Sequence, residues 1–342
     1  MSIDNTLPES INNIFEKKDN YGKNNIGANK KINIEISNNK EKLSLDDIRI
    51  LVYIDNLSRI MKYCQYEVEK EYYIDNMNNN LIDNLKKELD YYRINIDTYS
   101  TKKELEDNYI VEDLLTKLKY ENNCYIEKNE LLLKSENKTI LIDNDSFYTD
   151  DCFDITHIYT KRDKKYHKVI IFSNKSNNID IETLENILDI PNKTINIIPY
   201  STSNEDNYNI IDINKFRFDC LIYNSKYPIS EEELKNITTI NNKIDNYIKK
   251  NTHNLDESNT LSDNITYNIL NKLIEFENNI IQACNEKNPT IVLNYLIELT
   301  NLASNLIKEE IKNDTTINLL KMVQIVNNNG LKLIGIIPRD EI

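Results

Sequence analysis

The segment Leu43-Ser44-Leu45-Asp46-Asp47-Ile48-Arg49 joins two patterns of different period. Before it, Lys31–Ser37 (KINIEIS) alternates polar and apolar residues, the period of a strand. After it, Leu45, Ile48, Val52, Leu57, Ile60, Met61 and Cys64 recur at helical spacing, and Tyr66–Ile74 (YEVEKEYYI) reads as a second strand. Strand, turn, long helix and strand make one unit of a parallel α/β sheet. Such sheets bind ligands at the carboxyl ends of their strands, against helix N-termini. This turn is therefore the first place to look for a nucleotide site.

Its residues point elsewhere. Ser44 and Asp47 form an S-x-x-D pattern, in which Ser44 accepts from a first-turn backbone N–H and Asp47 reaches back to the Ser44 N–H. Asp46 and Asp47 place two negative charges on the positive end of the helix dipole. A phosphate would use the same N–H groups and the same dipole. A cap needs nothing beyond these residues, so the turn reads as a self-capped helix.

The 342 residues allow about two domains, and 39% hydrophobic content supports a real core. A net charge of -14 gives no help to nonspecific binding of RNA, DNA or an anionic membrane. Five cysteines, widely spaced and without a C-x-x-C or a Cys/His pairing, indicate neither zinc nor a disulfide framework. Reduced thiols in a cytoplasmic protein are expected. The N-terminus has no signal-peptide pattern, and no apolar run approaches membrane-spanning length. Glycine is the most informative count. Only Gly22, Gly27, Gly330 and Gly335 occur, which excludes P-loops, G-x-G-x-x-G turns and nucleophile elbows.

Along the chain, residues 1–30 read as a polar lead-in, 31–250 as an α/β domain and 251–342 as an α-helical domain. Helices are expected at Leu81–Tyr92 and, with a clear apolar face, at Lys102–Lys119. Short strands are expected within Cys124–Ile142. Val169–Ser173 (VIIFS) reads as a strand buried on both faces. A helix over Ile181–Leu188, a strand over Thr194–Tyr200 and a helix from Glu231 complete the α/β part. After Ser262 three apolar stripes, starting at Ile265, Ile291 and Leu319, predict three mutually packed helices. His157 stands without a carboxylate at informative spacing and reads as structural.

The runs Asp19–Ser37 (DNYGKNNIGANKKINIEIS), Asp55–Tyr63 (DNLSRIMKY), Tyr66-Glu67-Val68 and Glu71-Tyr72-Tyr73-Ile74 resemble the catalytic domain of bacterial arginyl-tRNA synthetases. The resemblance implies a Rossmann-like, nucleotidyl-transferase-type parallel-sheet domain followed by an all-α anticodon-binding (DALR) bundle. It also implies an N-terminal tRNA-binding domain, for which residues 1–30 leave no room. The family's H-V-G-H signature falls on Ser44, Leu45, Asp46 and Asp47, with neither histidine nor glycine kept. Its N-D-A-G-N-Q turn, which helps hold the amino acid, falls on Asp75, Asn76, Met77, Asn78, Asn79 and Asn80; only Asn79 matches. Its D-I-A-Y-H motif falls on Asp154-Ile155-Thr156-His157-Ile158, so His157 replaces the tyrosine that would contact arginine; Lys161, Tyr166 and Lys168-Val169-Ile170 follow at the family's spacing. Its G-A-D-H-H-G segment falls on Asn174–Ile179. The K-M-S-K-S loop is missing, since no lysine or methionine occurs between Thr194 and Asn214. Lys215-Phe216-Arg217-Phe218 resembles the family's A-L-R-F.

In the helical part, Leu293–Leu299 and Asn329–Ile336 carry the resemblance. The family's aromatic and histidine positions there are Ala303, Ser304, Leu306 and Ile307, which have no ring for base stacking. Packing positions are thus kept while chemistry-bearing ones are not. The expectation is a catalytically inactive synthetase-like protein that works by binding. No ATP, magnesium or structural metal is expected; a protein partner is, with tRNA bound weakly and no DNA or membrane. The alternatives are an active arginine–tRNA ligase with a divergent site, using ATP and magnesium, and a tRNA-binding module without chemistry.

Overall fold

The structure is a computed structural model that describes residues 6–38, 43–74, 79–174, 180–200, 212–222, 230–251 and 263–337. These fall into two compact units. One is drawn from within 29–54 and 66–208; the other is drawn from within 1–28, 55–65 and 209–342.

The chain opens with helix α1 (Thr6–Lys17), which belongs to the helical unit. The α/β unit then begins with β1 (Lys31–Asn38), the start of α2 (Leu45–Tyr63), β2 (Glu67–Ile74), α3 (Asn79–Tyr91) and β3 (Thr98–Thr101). Residues of α2 up to Ile54 count with this unit and those from Asp55 with the other. Next come α4 (Lys102–Asp107), α5 (Ile110–Tyr120) and the short strands β4 (Cys124–Glu127), β5 (Glu130–Leu133) and β6 (Thr139–Ile142). The unit closes with α6 (Asp150–Tyr159), β7 (Lys168–Ser173), α7 (Ile181–Ile187) and β8 (Ile195–Pro199).

The main sheet has the order β3-β2-β1-β7-β8, and all its pairings are parallel. From β1 the chain builds outward to β2 and β3 on one side, then crosses back to add β7 and β8 on the other. β1 therefore lies at the centre, beside the switch point. Its alternation does not mark a half-exposed strand. Asn33, Glu35 and Ser37 are as buried as Ile32, Ile34 and Ile36, as expected for a strand covered on both faces. β4, β5 and β6 form a separate antiparallel sheet. The single helix expected over Lys102–Lys119 is two. Thr101 and Glu104 make a capping box for α4, and Tyr109, at φ 57°, turns the chain before α5. β3 has no signature in the sequence reading; Thr98–Thr101 is too short for periodicity to show.

The helical unit continues with α8 (Ile213–Ile222), α9 (Glu231–Asn251), α10 (Asp263–Ile274), α11 (Phe276–Asn285), α12 (Thr290–Lys308) and α13 (Asp314–Leu333). The first of the three expected stripes is divided at Glu275 into α10 and α11, leaving Ile274 exposed. α9 packs with α12 and α13. Asn327 Nδ2 donates to Ile237 O at 3.1 Å, and Tyr247 Oη donates to Ile311 O at 2.5 Å. The N-terminal residues, read as a lead-in, also contribute to this unit. Ile14 is buried, Tyr21 Oη donates to Leu273 O at 3.1 Å, and Asn329 Nδ2 donates to Lys18 O at 2.8 Å. Arg217 is wholly buried against Asp55 (2.7 Å) and Asn56 (2.5 Å). Gly335, at φ +65°, lets the backbone pass over that guanidinium; a Cβ there would lie 2.1 Å from Arg217 Nη2. All five cysteines are free and buried. Cys64 and Cys284, distant in sequence, lie close to one another.

Candidate functional site

The polar face of β1 and the matching face of β2 bring two carboxylates together in the interior. Glu35 Oε2 lies 2.9 Å from Lys161 Nζ and 2.9 Å from His157 Nε2. Glu71 Oε2 accepts from Lys161 Nζ at 2.5 Å and from Asn33 Nδ2 at 2.9 Å, while its Oε1 accepts from Ser100 Oγ at 2.6 Å. All of these except Ser100 are buried. Burial alone would raise the Glu35 carboxyl, but the charges and hydrogen bonds of His157 and Lys161 more than offset it and bring the pKa down to about 2. Glu71 is lowered as well: burial opposes this, as does the Glu35 charge, and Lys161 and His157 outweigh both. Burial also works against the Lys161 ammonium, yet the two carboxylates hold its pKa above the ordinary lysine value. The ammonium is thus the fixed cation of a buried ionic cluster.

His157 corrects the sequence reading. It is not a lone histidine, because Glu35, 122 residues away, supplies a carboxylate partner and Tyr73 stacks on its ring at 3.9 Å with 7° between planes. An ionised Glu35 only accepts, so His157 Nε2 is the donor. His157 Nδ1 is buried and has no hydrogen-bond partner among the described residues. A small cleft is lined by Glu35, Ser37, Tyr73, Asp154, His157 and Ser173, with Ile158, Ile171 and Ile197. These residues come from β1, β2, β7, β8 and α6. The cleft therefore lies at the switch point of the sheet, the expected position for a ligand in this topology.

Asp154 and His157, two of the positions that the resemblance assigns to the amino-acid pocket, share this cleft. Asp75 and Asn76 lie outside the described residues, as do most of the 174–179 segment and residues 201–211, where the family carries its mobile loop. Asn79 and Asn80 begin α3.

The Ser44 turn is a separate structure, and none of Ser44, Leu45, Asp46 and Asp47 lines the cleft. The capping box forms as read. Asp47 Oδ2 accepts from Ser44 N–H at 2.8 Å and from Ser44 Oγ at 2.6 Å, and Ser44 Oγ accepts from Asp47 N–H at 3.3 Å. The third member has no local signature. Tyr200, 153 residues on, donates its hydroxyl to Asp47 Oδ1 at 2.9 Å. Its own pKa is raised, first by burial and then by the Asp47 charge. Asp47 is fully buried, and Asp46 pairs with Arg49 at 2.9 Å.

In α12, Ala303 and Leu306 are fully buried, and only Ser304 and Ile307 are partly open. Two of the four positions that the resemblance aligns with the family's base-stacking rings are therefore core.

A parallel sheet with its cleft at the switch point, and a helical unit at the chain's end, is the architecture of class I aminoacyl-tRNA synthetases. Solved arginyl-tRNA synthetases share this fold, and residues 234–342 match the family described as DALR anticodon binding domain. A candidate arginyl-tRNA synthetase from Campylobacter jejuni is similar with a TM-score of 0.82 at 15% identity, covering 98% of this chain and 99% of its own. The arginyl-tRNA synthetase of Thermus thermophilus gives 0.70 at 12% identity, covering 91% and 82%. That of Plasmodium falciparum gives 0.68 at 11%, covering 92% and 77%. Likeness at these identities is likeness of fold. Among curated proteins none matches the sequence at a significant level. No helix among the described residues is long and apolar enough to cross a membrane.

Proposed function

We propose that this arginyl-tRNA synthetase-like chain does not activate arginine and acts as a cytoplasmic binding protein, with another protein as its main partner. The observation that carries the reading is the occupancy of the Ser44 turn. A buried carboxylate, that of Asp47, already takes the Ser44 N–H and hydroxyl and is fixed from its other oxygen by Tyr200. A phosphate oxygen held ~4 Å from that carboxylate would meet roughly 4 kcal/mol of repulsion at an effective dielectric of ~20. Forming an adenylate places charge on a pentacovalent phosphorus, and the main catalytic device for such a step is a set of donors aimed at it. Here the side-chain donors at the turn, Ser44 and Tyr200, are already committed to Asp47. With Asp47 held by Ser44 and Tyr200 and Asp46 paired with Arg49, the residues at the turn do not fit the phosphates of ATP.

The test is arginine-dependent ATP–pyrophosphate exchange, with and without tRNA. The expected result is no exchange above the blank, and selective exchange with arginine would overturn the reading.

One observation favours tRNA as an additional, weaker partner, namely the anticodon-binding family match over residues 234–342. A net charge of -14 opposes it. Mobility shifts with total tRNA at low and physiological salt decide this point; no shift at low salt would remove tRNA from the proposal.

A further inference from the structure

Glu35, Glu71 and His157 each present a ligand atom within 4.8 Å of the others, a grouping that could hold a metal ion. That grouping already has its cation, because the Lys161 ammonium contacts both carboxylates. The atom left over is different. With Nε2 committed to Glu35, His157 contributes Nδ1, which meets no hydrogen-bond partner among the described residues. A buried polar atom without a partner is costly to maintain, and here it belongs to a residue that lines the cleft.

Three features make that nitrogen a metal ligand in waiting. First, its other ring nitrogen donates to a carboxylate, the outer-shell arrangement that fixes the tautomer of metal-binding histidines and raises their basicity. Second, Asp154 stands one helical turn earlier on α6 and lines the same cleft. A carboxylate three residues before a histidine on one helix is the spacing that binds metal in carboxylate-bridged helical proteins. Third, the Ser37 and Ser173 hydroxyls supply further oxygens along the lining. A nitrogen with a carboxylate suits a borderline ion such as Zn²⁺ better than the hard ions, which prefer oxygen alone.

We propose that His157 Nδ1 and the Asp154 carboxylate bind a borderline divalent transition-metal ion in the cleft. Glu35 acts as the outer-shell carboxylate, and the remaining coordination positions stay open to water or a small ligand. The proposal does not depend on whether the chain activates an amino acid.

The test is a Co²⁺ titration of the full chain followed by visible absorption, with Zn²⁺ as competitor. One saturable Co²⁺, displaced by Zn²⁺ and lacking a cobalt–thiolate charge-transfer band, is expected. Asp154→Asn, at a partly exposed position, should lower the affinity at least ~10-fold with the unfolding midpoint unchanged, and Glu35→Gln should lower it ~10–100-fold. His157→Gln should abolish it. In case the last two fail to fold, the wild-type histidine ring NMR signals serve as the second readout, and those of His157 should respond to metal while those of His167 and His253 do not. No saturable binding, a thiolate band, or an affinity that Asp154→Asn leaves unchanged would overturn the site.

Discussion

Two polar constellations lie near the carboxyl end of β1, and they are finished differently. At the Ser44 turn each carboxylate oxygen of Asp47 has a donor: Ser44 on one side, Tyr200 on the other. In the cleft, Glu35, Glu71 and Lys161 satisfy one another in the same way, but His157 keeps one nitrogen for which the described residues provide nothing. The first is filled by the chain's own groups and works as a helix cap. The second is built around a fixed cation and remains chemically incomplete. A polar group satisfied from within the chain argues for structure; one oriented and left over argues for a ligand.

The difference can be broken most forcefully at Lys161. Lys161→Met leaves Glu35 and Glu71 facing one another in the interior, and removing one partner of a buried ionic group costs ~3–5 kcal/mol. The pH dependence carries a definite sign. Both carboxyls have folded pKa values below the ordinary 4.5, Glu35 at about 2. Their contribution to stability is present above pH ~4.5 and is lost as pH falls from there toward ~2. Without Lys161 the carboxyls bind protons more readily, so the deficit should narrow below pH ~4.5. Urea midpoints at pH 7 and pH 4 check this, and a deficit that does not narrow would mean that packing, not charge, is Lys161's contribution.

Leu299→Ala is the control in the other unit. Leu299 is fully buried in α12, and truncation there should cost ~2–5 kcal/mol. An unchanged midpoint would remove it from that core.

How legible these features were depends on sequence distance. The strand–turn–helix–strand unit and the apolar stripes of α12 and α13 could be read because each is a periodic signal within one segment. The Ser44–Asp47 cap could be read because its two partners stand three residues apart. Tyr200, Glu35 and Lys161 could not be read as partners, because pairing across 90–153 residues leaves no local trace. One signal was nevertheless available. A strand destined for the centre of a parallel sheet is buried on both faces, so the glutamate in KINIEIS had to find a cation or a hydrogen-bond donor inside. The alternation of KINIEIS therefore marks a buried polar site and not a half-exposed strand. The burial of two of the four aligned positions in α12 was illegible for the converse reason. Correspondence of position said nothing about exposure, and Ala303 and Leu306 turned inward.

At the turn the expected effects are smaller. Ser44→Ala removes one cap acceptor and should cost ~1 kcal/mol. If Asp47 holds the turn as its geometry indicates, the variant gains no affinity for ATP, because the buried carboxylate and Tyr200 remain. A thermal unfolding scan with and without magnesium-ATP reads both quantities.

The smallest effect separates two reasons for expecting the turn to refuse ATP. Asp46 and Asp47 both place negative charge at the helix start, but they sit differently. Asp46 is partly exposed and pairs with Arg49, whereas Asp47 is buried and holds the cap. Asp46→Asn keeps the shape and drops the outer charge. Losing that charge from the first turn should cost ~0.3–1 kcal/mol, and the exposed pair adds little more. If bulk negative charge is what repels the phosphates, Asp46→Asn should restore measurable ATP binding. If occupancy of the N–H groups is the cause, binding should stay absent until Asp47 is replaced as well. The cap geometry favours occupancy, because Asp47 takes the Ser44 N–H at 2.8 Å. Labelled-ATP binding to Asp46→Asn that saturates while Asp47 is intact would show that charge alone had closed the turn.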